Sequence, residues 1–347
     1  MTTTDAATKD ATAQTTPQTA TAQVTTAQAT TAQATTAQTA TQDEARQATT
    51  RRVDKLNTAS VRRVIEPDTE VAGSLGDGAV FSPELSTVAD LDLGLTDEQM
   101  AKLSREELAS VVVGGIRFEA LLMAGFSLQV AHTTAMTDPR ITYMLHEIGE
   151  ETRHSRLFVR LVSQLAPTAK SPLEGGLPGF IFRQVTRLVV RRPATLFTLV
   201  LAGEEIPDLF QKKLVEHPDT DPFLKEVNRY HRLEESRHLA YARMALPELW
   251  AEATWFDRFS VKYIVPVLVR VMFDGLVHPG VYETVGLPGQ ATWRAASRSR
   301  HQIEARHEAT RPVLAALLAA GALRRGHIPA LWRRVTGVDR SGDPIDS

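Results

Sequence analysis

The 347-residue chain contains no cysteine. Disulfides, thiolate metal sites and iron–sulfur clusters are therefore excluded, and any metal must be held by oxygen and nitrogen. That donor chemistry favours iron or manganese. Neither sign of charge dominates. Lys and Arg number 39 against 41 Asp and Glu, a formal net charge of -2, so no nucleic-acid partner is expected. The arginine-dense spots at 187–192 and at Arg324-Arg325 read as solvated helix ends. Long uninterrupted apolar runs are also missing. Val261–Val277 is broken by Lys262, Pro266, Arg270 and Asp274, too often to span a bilayer, and reads as a core helix. No membrane partner is expected. With no apolar signal segment, the cytoplasm is the expected compartment. No alternating strand pattern and no Gly-rich phosphate loop occur.

The first fifty residues lack still more. They hold no Phe, Tyr, Trp or Gly and only six charged residues. The five-residue unit Thr-Thr-Ala-Gln-Ala repeats, as at Thr25–Ala29 and Thr30–Ala34. Such a tract cannot bury enough apolar area to offset chain entropy. A disordered low-complexity tail without chemistry is expected over 1–50. An N-terminal extension follows over 51–95, then a helical domain over 96–325 and a C-terminal tail over 326–347. The remainder, roughly 290 residues, suffices for one large helical domain.

Helix punctuation is plentiful. Thr96-x-x-Gln99 and Ser104-x-x-Glu107 are both capping-box patterns, and the second is expected to open a long helix carrying Glu119. Asp138-Pro139 reads as an N-cap with proline at the first helical position, starting a helix that runs to about Leu165. Residues 166–178 are rich in Pro, Gly and Ser and read as a crossover. Pro193 and Thr220-Asp221-Pro222 open two further helices. The result is two pairs of long helices joined by one longer connection, an all-α, ferritin-like four-helix bundle. Residues 254–323 supply additional C-terminal helices.

Metal-competent residues recur on these helices. His231, Glu235 and His238 are spaced four and three apart, so they share one helix face. Glu151-x-x-His154 repeats half that pattern upstream. Glu119 interrupts an otherwise apolar helix, and Glu204 ends a near-continuous apolar run, where an unpaired carboxylate would be costly. A single Glu-x-x-His is more simply an i,i+3 contact on a solvated face. Two copies with two more glutamates, in the order Glu119, Glu151-x-x-His154, Glu204, Glu235-x-x-His238, build the dinuclear carboxylate site of ferritin-like bundles. Four glutamates would balance two divalent metal ions.

With His231 added, four glutamates and three histidines resemble the aminoarene N-oxygenases, the AurF-like p-aminobenzoate N-oxygenase type of non-haem diiron enzyme, over roughly residues 55 to 325. The resemblance implies two iron ions (Fe2+/Fe3+), O2 as co-substrate and an external electron donor, a protein or small reductant. It implies a small-molecule aromatic amine as substrate, in secondary metabolism. A homodimer is compatible with it. A carbon hydroxylase of the same fold and a non-oxygenase ferroxidase or iron-binding bundle are the alternatives. His231 and the chain length disfavour the last.

Around the ligands, Asp208 lies four after Glu204 on the same face and is expected to hold an imidazole from behind. Glu150, Glu205 and Glu234 rotate about 100° from the ligands and are surface or supporting candidates. Met123, Phe126, Phe158, Phe197, Val200 and Leu201 are the expected substrate-pocket residues, with ordinary core as the plainer reading. Pro207 should kink its helix beside the metal. His132, His146, His217, His278 and His327 read as structural. His301-x-x-Glu304-x-x-His307 is a closer rival that lacks a partner motif.

Overall fold

The computed structural model describes Glu44 and residues 47–345. Most of the expected tail over 1–50 thus lies outside the described residues, but its last four, 47–50, are helical. The compact unit comprises Val53–Ser347. Among the described residues the regular elements are helices: α1 (47–62), α2 (Pro67–Glu70), α3 (Asp97–His132), α4 (Pro139–Leu165), α5 (Gly176–Val189), α6 (Pro193–Glu216), α7 (Pro222–Ala251), α8 (Trp255–Phe259), α9 (Val265–Asp274), α10 (Pro279–Glu283), α11 (Gly289–Ala296), α12 (Arg300–Ala319) and α13 (Ala330–Thr336). The fold is all-α and ferritin-like.

The expected stop and start signals operate, with one exchange. Thr96 caps α3 in a reciprocal capping box with Gln99. Ser104, expected to open this helix, instead lies inside it. Its hydroxyl donates to the Ala101 carbonyl at 2.8 Å and accepts from Val80 N–H at 3.1 Å. Asp138 caps α4 through Arg140 N–H, and Asp221 caps α7 through Phe223 and Leu224 N–H. Pro207 sits within a continuous α6. The crossover contains an additional helix, α5. Residues 326–345, expected as a tail, carry α13 and bury Trp332, Val335 and Val338 in the core. Trp332 is the reason: its ring is fully buried and its indole N–H donates to the Val261 carbonyl at 2.9 Å.

By length and composition alone, the stretches Asp97–His132 and Trp255–Glu283 could cross a membrane. The first packs within the bundle, paired with α4, as α6 pairs with α7.

Two apolar clusters occupy the two ends of this four-helix core. One holds Leu108 and Val112 of α3, Leu157 and Leu161 of α4, Leu214 of α6 and Leu224 and Val227 of α7. The other holds Leu122 and Phe126, Ile141 and Met144, Leu196 and Val200, and Leu239 and Leu246 of the same helices in turn. Reading the clusters along each chain segment, α3 and α7 run one way and α4 and α6 the other. That sense requires one long crossover between α4 and α6. Between the clusters, every one of the four helices places a glutamate.

Candidate metal centre

α3 brings Glu119, α4 Glu151 and His154, α6 Glu204, and α7 His231, Glu235 and His238 into this middle layer, all buried. Close helix approach is built into the sequence beside them. A Cβ at Gly203 would collide with the ring of Phe118, and one at Gly125 with Leu196. Glycine at these points lets α6 press against α3, with Glu119 and Glu204 the next residues along from Phe118 and Gly203.

Glu151 and Glu235 form the centre. His154 Nδ1 lies 3.2 Å from Glu151 Oε2 and 3.2 Å from Glu235 Oε1. His238 Nδ1 lies 3.1 Å from Glu151 Oε1 and 3.0 Å from Glu235 Oε2. Each carboxylate therefore offers one oxygen to each imidazole, as a carboxylate shared by two cations does.

The outer donors divide between the two histidines. On the His154 side, the donor atoms of Glu119, His154 and His231 lie within 4.8 Å of one another. His231 Nε2 is 3.6 Å from Glu119 Oε1 and 3.5 Å from Glu235 Oε1. The ring is held by Gln211 Oε1 at 3.1 Å from Nδ1 and stacks on Phe158 with centroids 4.9 Å apart. On the His238 side, the donors of Glu147, Glu151 and His238 lie within the same 4.8 Å limit. Glu204 hydrogen-bonds Glu235, and its Oε1 has no hydrogen-bond partner.

The imidazoles are held from behind by residues other than the one expected. His154 Nε2 meets Glu234 Oε2 at 3.0 Å, and His238 Nε2 meets Glu150 Oε2 at 2.8 Å. Arg153 pairs with Glu234 at 3.3 Å and Arg237 with Glu150 at 2.9 Å. Asp208 instead pairs with Arg232 at 2.6 Å, partly exposed, and reaches no imidazole. Glu150 and Glu234 do point away from the ligands of their own helix. Their targets are on the other helix, which spacing along one helix cannot show. The signal was the pentapeptide Glu-Glu-x-Arg-His, present at 150–154 and again at 234–238.

The electrostatics follow from packing carboxylates in a dry layer. Burial alone would lower His154, but hydrogen bonds to Glu151, Glu234 and Glu235 raise it well above the usual imidazole value. For His238 the charges of Glu235, Glu147 and Glu151 overcome burial in the same direction. Burial lifts Glu119 above the usual carboxyl range. Burial and the neighbouring Glu235 and Glu151 charges lift Glu204 well above it. Burial pushes Glu147 up to about 8. The layer calls for positive charge, which protons or metal ions can supply. Oxygen and nitrogen donors, two doubly shared carboxylates and an unpartnered Glu204 oxygen fit a pair of metal ions.

The remaining sequence candidates are placed elsewhere. Phe126, Phe197, Val200 and Leu201 are close-packed core, with the Phe126 and Phe197 rings 5.4 Å apart. Met123 is half-buried, its sulfur 3.5 Å from Thr152 Oγ1. Of the six, Phe158 stacks on a candidate ligand, His231. A cavity of about 100 Å³ does exist, but none of the six lines it; Glu107, Ile206, Leu209, Phe210, Tyr282 and Trp293 do. Residues 206, 209, 210 and 213 lie roughly 140–240° around α6 from Glu204, so this cavity is on the back of that helix. The triad His301, Glu304 and His307 joins none of the three-donor groups found among the described residues.

A four-helix core with one long crossover, carrying a Glu on two helices and Glu-x-x-His on the other two, defines a dinuclear carboxylate protein of the ferritin-like class. The chain belongs to the p-aminobenzoate N-oxygenase AurF family, whose model matches residues 43–321. That is a family of diiron enzymes, and membership implies a diiron oxygenase. The chain is also 29% identical over 238 residues to uncharacterized proteins of Mycobacterium tuberculosis (strain H37Rv) and Mycobacterium bovis, covering 65% of this chain and 68% of each relative. No solved structure matches the chain.

Proposed function

We propose that this protein is an aminoarene N-oxygenase that converts a primary arylamine to a hydroxylamine, nitroso or nitro product. Two irons held by Glu119, Glu151, His154, Glu204, His231, Glu235 and His238 would supply the electrons that reduce O2, replenished by an external donor. The observation that carries the reading is the double sharing of Glu151 and Glu235 between two histidines. It supports two cations side by side, which a mononuclear site would not need. His231 supports an oxygenase over a storage bundle, because a third neutral donor takes a position that water would otherwise fill.

The chain's own residues do the positioning. Glu150 and Glu234 fix the ring orientation of His238 and His154 and make both imidazoles better donors. Arg237 and Arg153 neutralise those outer carboxylates. The apolar clusters above and below exclude bulk water, which strengthens every charge interaction between them. Phe158, stacked on His231, offers an aromatic surface beside the donors, and we place the aryl ring of the substrate against it. We place the enzyme in the cytoplasm, in secondary metabolism.

The test is to load the protein with iron, reduce it anaerobically, add ¹⁸O2 and present a panel of arylamines. Label in an N–O product is expected by mass spectrometry. Label confined to carbon-bound hydroxyl across the panel would replace this reading with the hydroxylase. Oxygen consumption without product would replace it with a ferroxidase.

A further inference from the structure

The two ligand helices carry the same motif twice, and the match extends further back than the histidine. α4 reads Glu147-x-x-Glu150-Glu151-x-Arg153-His154, and α7 reads His231-x-x-Glu234-Glu235-x-Arg237-His238. The contacts obey the same equivalence. Glu151 and Glu235 exchange roles between the two imidazoles. Glu150 backs His238 as Glu234 backs His154. Arg153 covers Glu234 as Arg237 covers Glu150. The centre thus has an approximate two-fold relation between its halves. Under that relation the counterpart of His231, four residues before the shared carboxylate, is Glu147.

From this repeat and its geometry we infer that Glu147 is a fifth carboxylate donor of the metal centre, serving the ion on the His238 side as His231 serves the ion on the His154 side. This inference rests on the dinuclear reading above. Three observations support it besides the symmetry. Glu147 is 1% exposed, so its carboxyl has no recourse to solvent. Both of its oxygens lack any hydrogen-bond partner, a costly state for a buried acid unless a cation completes it. One of those oxygens lies within 4.8 Å of donor atoms of Glu151 and His238. The two ions are then unlike: one gains a neutral imidazole from the repeat, the other an anionic carboxylate. The second ion is the harder site and favours the more highly charged metal.

The experiment is an anaerobic titration of the full chain with ⁵⁷Fe(II), read by equilibrium competition and Mössbauer spectroscopy. The parent should bind two ions and show two ferrous doublets. In Glu147→Gln, one doublet should change while the other stays, and the affinity of one ion should fall at least about tenfold, no less than losses behind a ligand produce. His231→Ala should move the other doublet. If Glu147→Gln does not fold by circular dichroism, Glu147→Asp, which keeps the charge but shortens its reach, should perturb the same doublet. A Glu147→Gln protein with both affinities and both doublets unchanged overturns the inference and leaves the dinuclear reading standing. A parent that binds fewer than two ions overturns both.

Discussion

α3 carries buried glutamates at two levels, and they behave differently. Near its start, Glu106 accepts from Thr168 N–H at 2.8 Å, Thr168 Oγ1 at 2.6 Å and Ala169 N–H at 3.1 Å. Glu107 beside it accepts from Ser86 Oγ, Thr87 N–H and Thr87 Oγ1, and Thr87 Oγ1 lies 2.8 Å from Tyr282 Oη. These two carboxylates tie the connecting segments at 86–87 and 168–169 to the bundle. Three turns on, Glu119 accepts from Ser155 Oγ at 2.5 Å on Oε2, but its Oε1 faces His231 Nε2, and its layer-mates face one another. Burial is the same at both levels. What separates a structural acid from a candidate ligand is whether backbone and hydroxyl donors have already satisfied both of its oxygens.

Changing one acid at each level tests that contrast most strongly. Glu235→Ala removes an oxygen from both imidazoles, so metal content should fall from two ions per chain to below one by elemental analysis. A variant that kept two ions would break the comparison. At the other level, Glu107→Gln should leave metal content at two but change the pH dependence of stability. Burial raises Glu107 from 4.5 to about 7. Between those values the unfolded chain releases the proton and the folded chain keeps it, so stability is lost as pH rises through the window. The loss is on the order of 3 kcal/mol in the parent and should be absent in the variant. Urea unfolding at pH 5 and pH 7.5, compared between the two proteins, reads it directly.

A smaller effect is expected where geometry rather than charge is altered. Gly203→Ala forces the Phe118 ring aside and should cost about 1–3 kcal/mol by overpacking. Because Glu204 is the next residue, it should also weaken metal binding, which Glu107→Gln should not. Destabilisation without any change in metal affinity would show that α6 can shift without moving Glu204. The smallest effect is reserved for the repeat. Deleting residues 1–43 should leave Tm and metal content unchanged by calorimetry and elemental analysis, since its composition offers nothing to pack.

Much of this architecture was legible because its signals are local. Thr96, Asp138 and Asp221 mark helix starts by capping chemistry and Pro193 by its place at the first helical position, and the i,i+3 and i,i+4 steps place Glu235, His238 and His231 on one face. What was hidden depends on a second helix. Asp208 looked well placed by rotation, but Arg232 claims it. Glu150 and Glu234 looked misplaced by rotation, yet each backs an imidazole across the bundle. Ser104 resembled a cap, but the helix had already begun at Asp97. The apolar neighbours of the ligands on α6 could not be sorted into pocket and core, because helical spacing says which way a side chain points and not how much room it finds.

The crossed hydrogen bonds of Glu150 to His238 and of Glu234 to His154 also bear on how the bundle assembles. Leucine-rich helices can slide past one another with modest loss, since one apolar contact resembles the next. α4 and α7 cannot. A slip of one residue along either axis would separate both histidines from their backing carboxylates and leave charges stranded in a dry layer. The repeated pentapeptide therefore acts as a key that admits one register. Helix alignment is checked by chemistry at the middle of the bundle, where packing alone discriminates least.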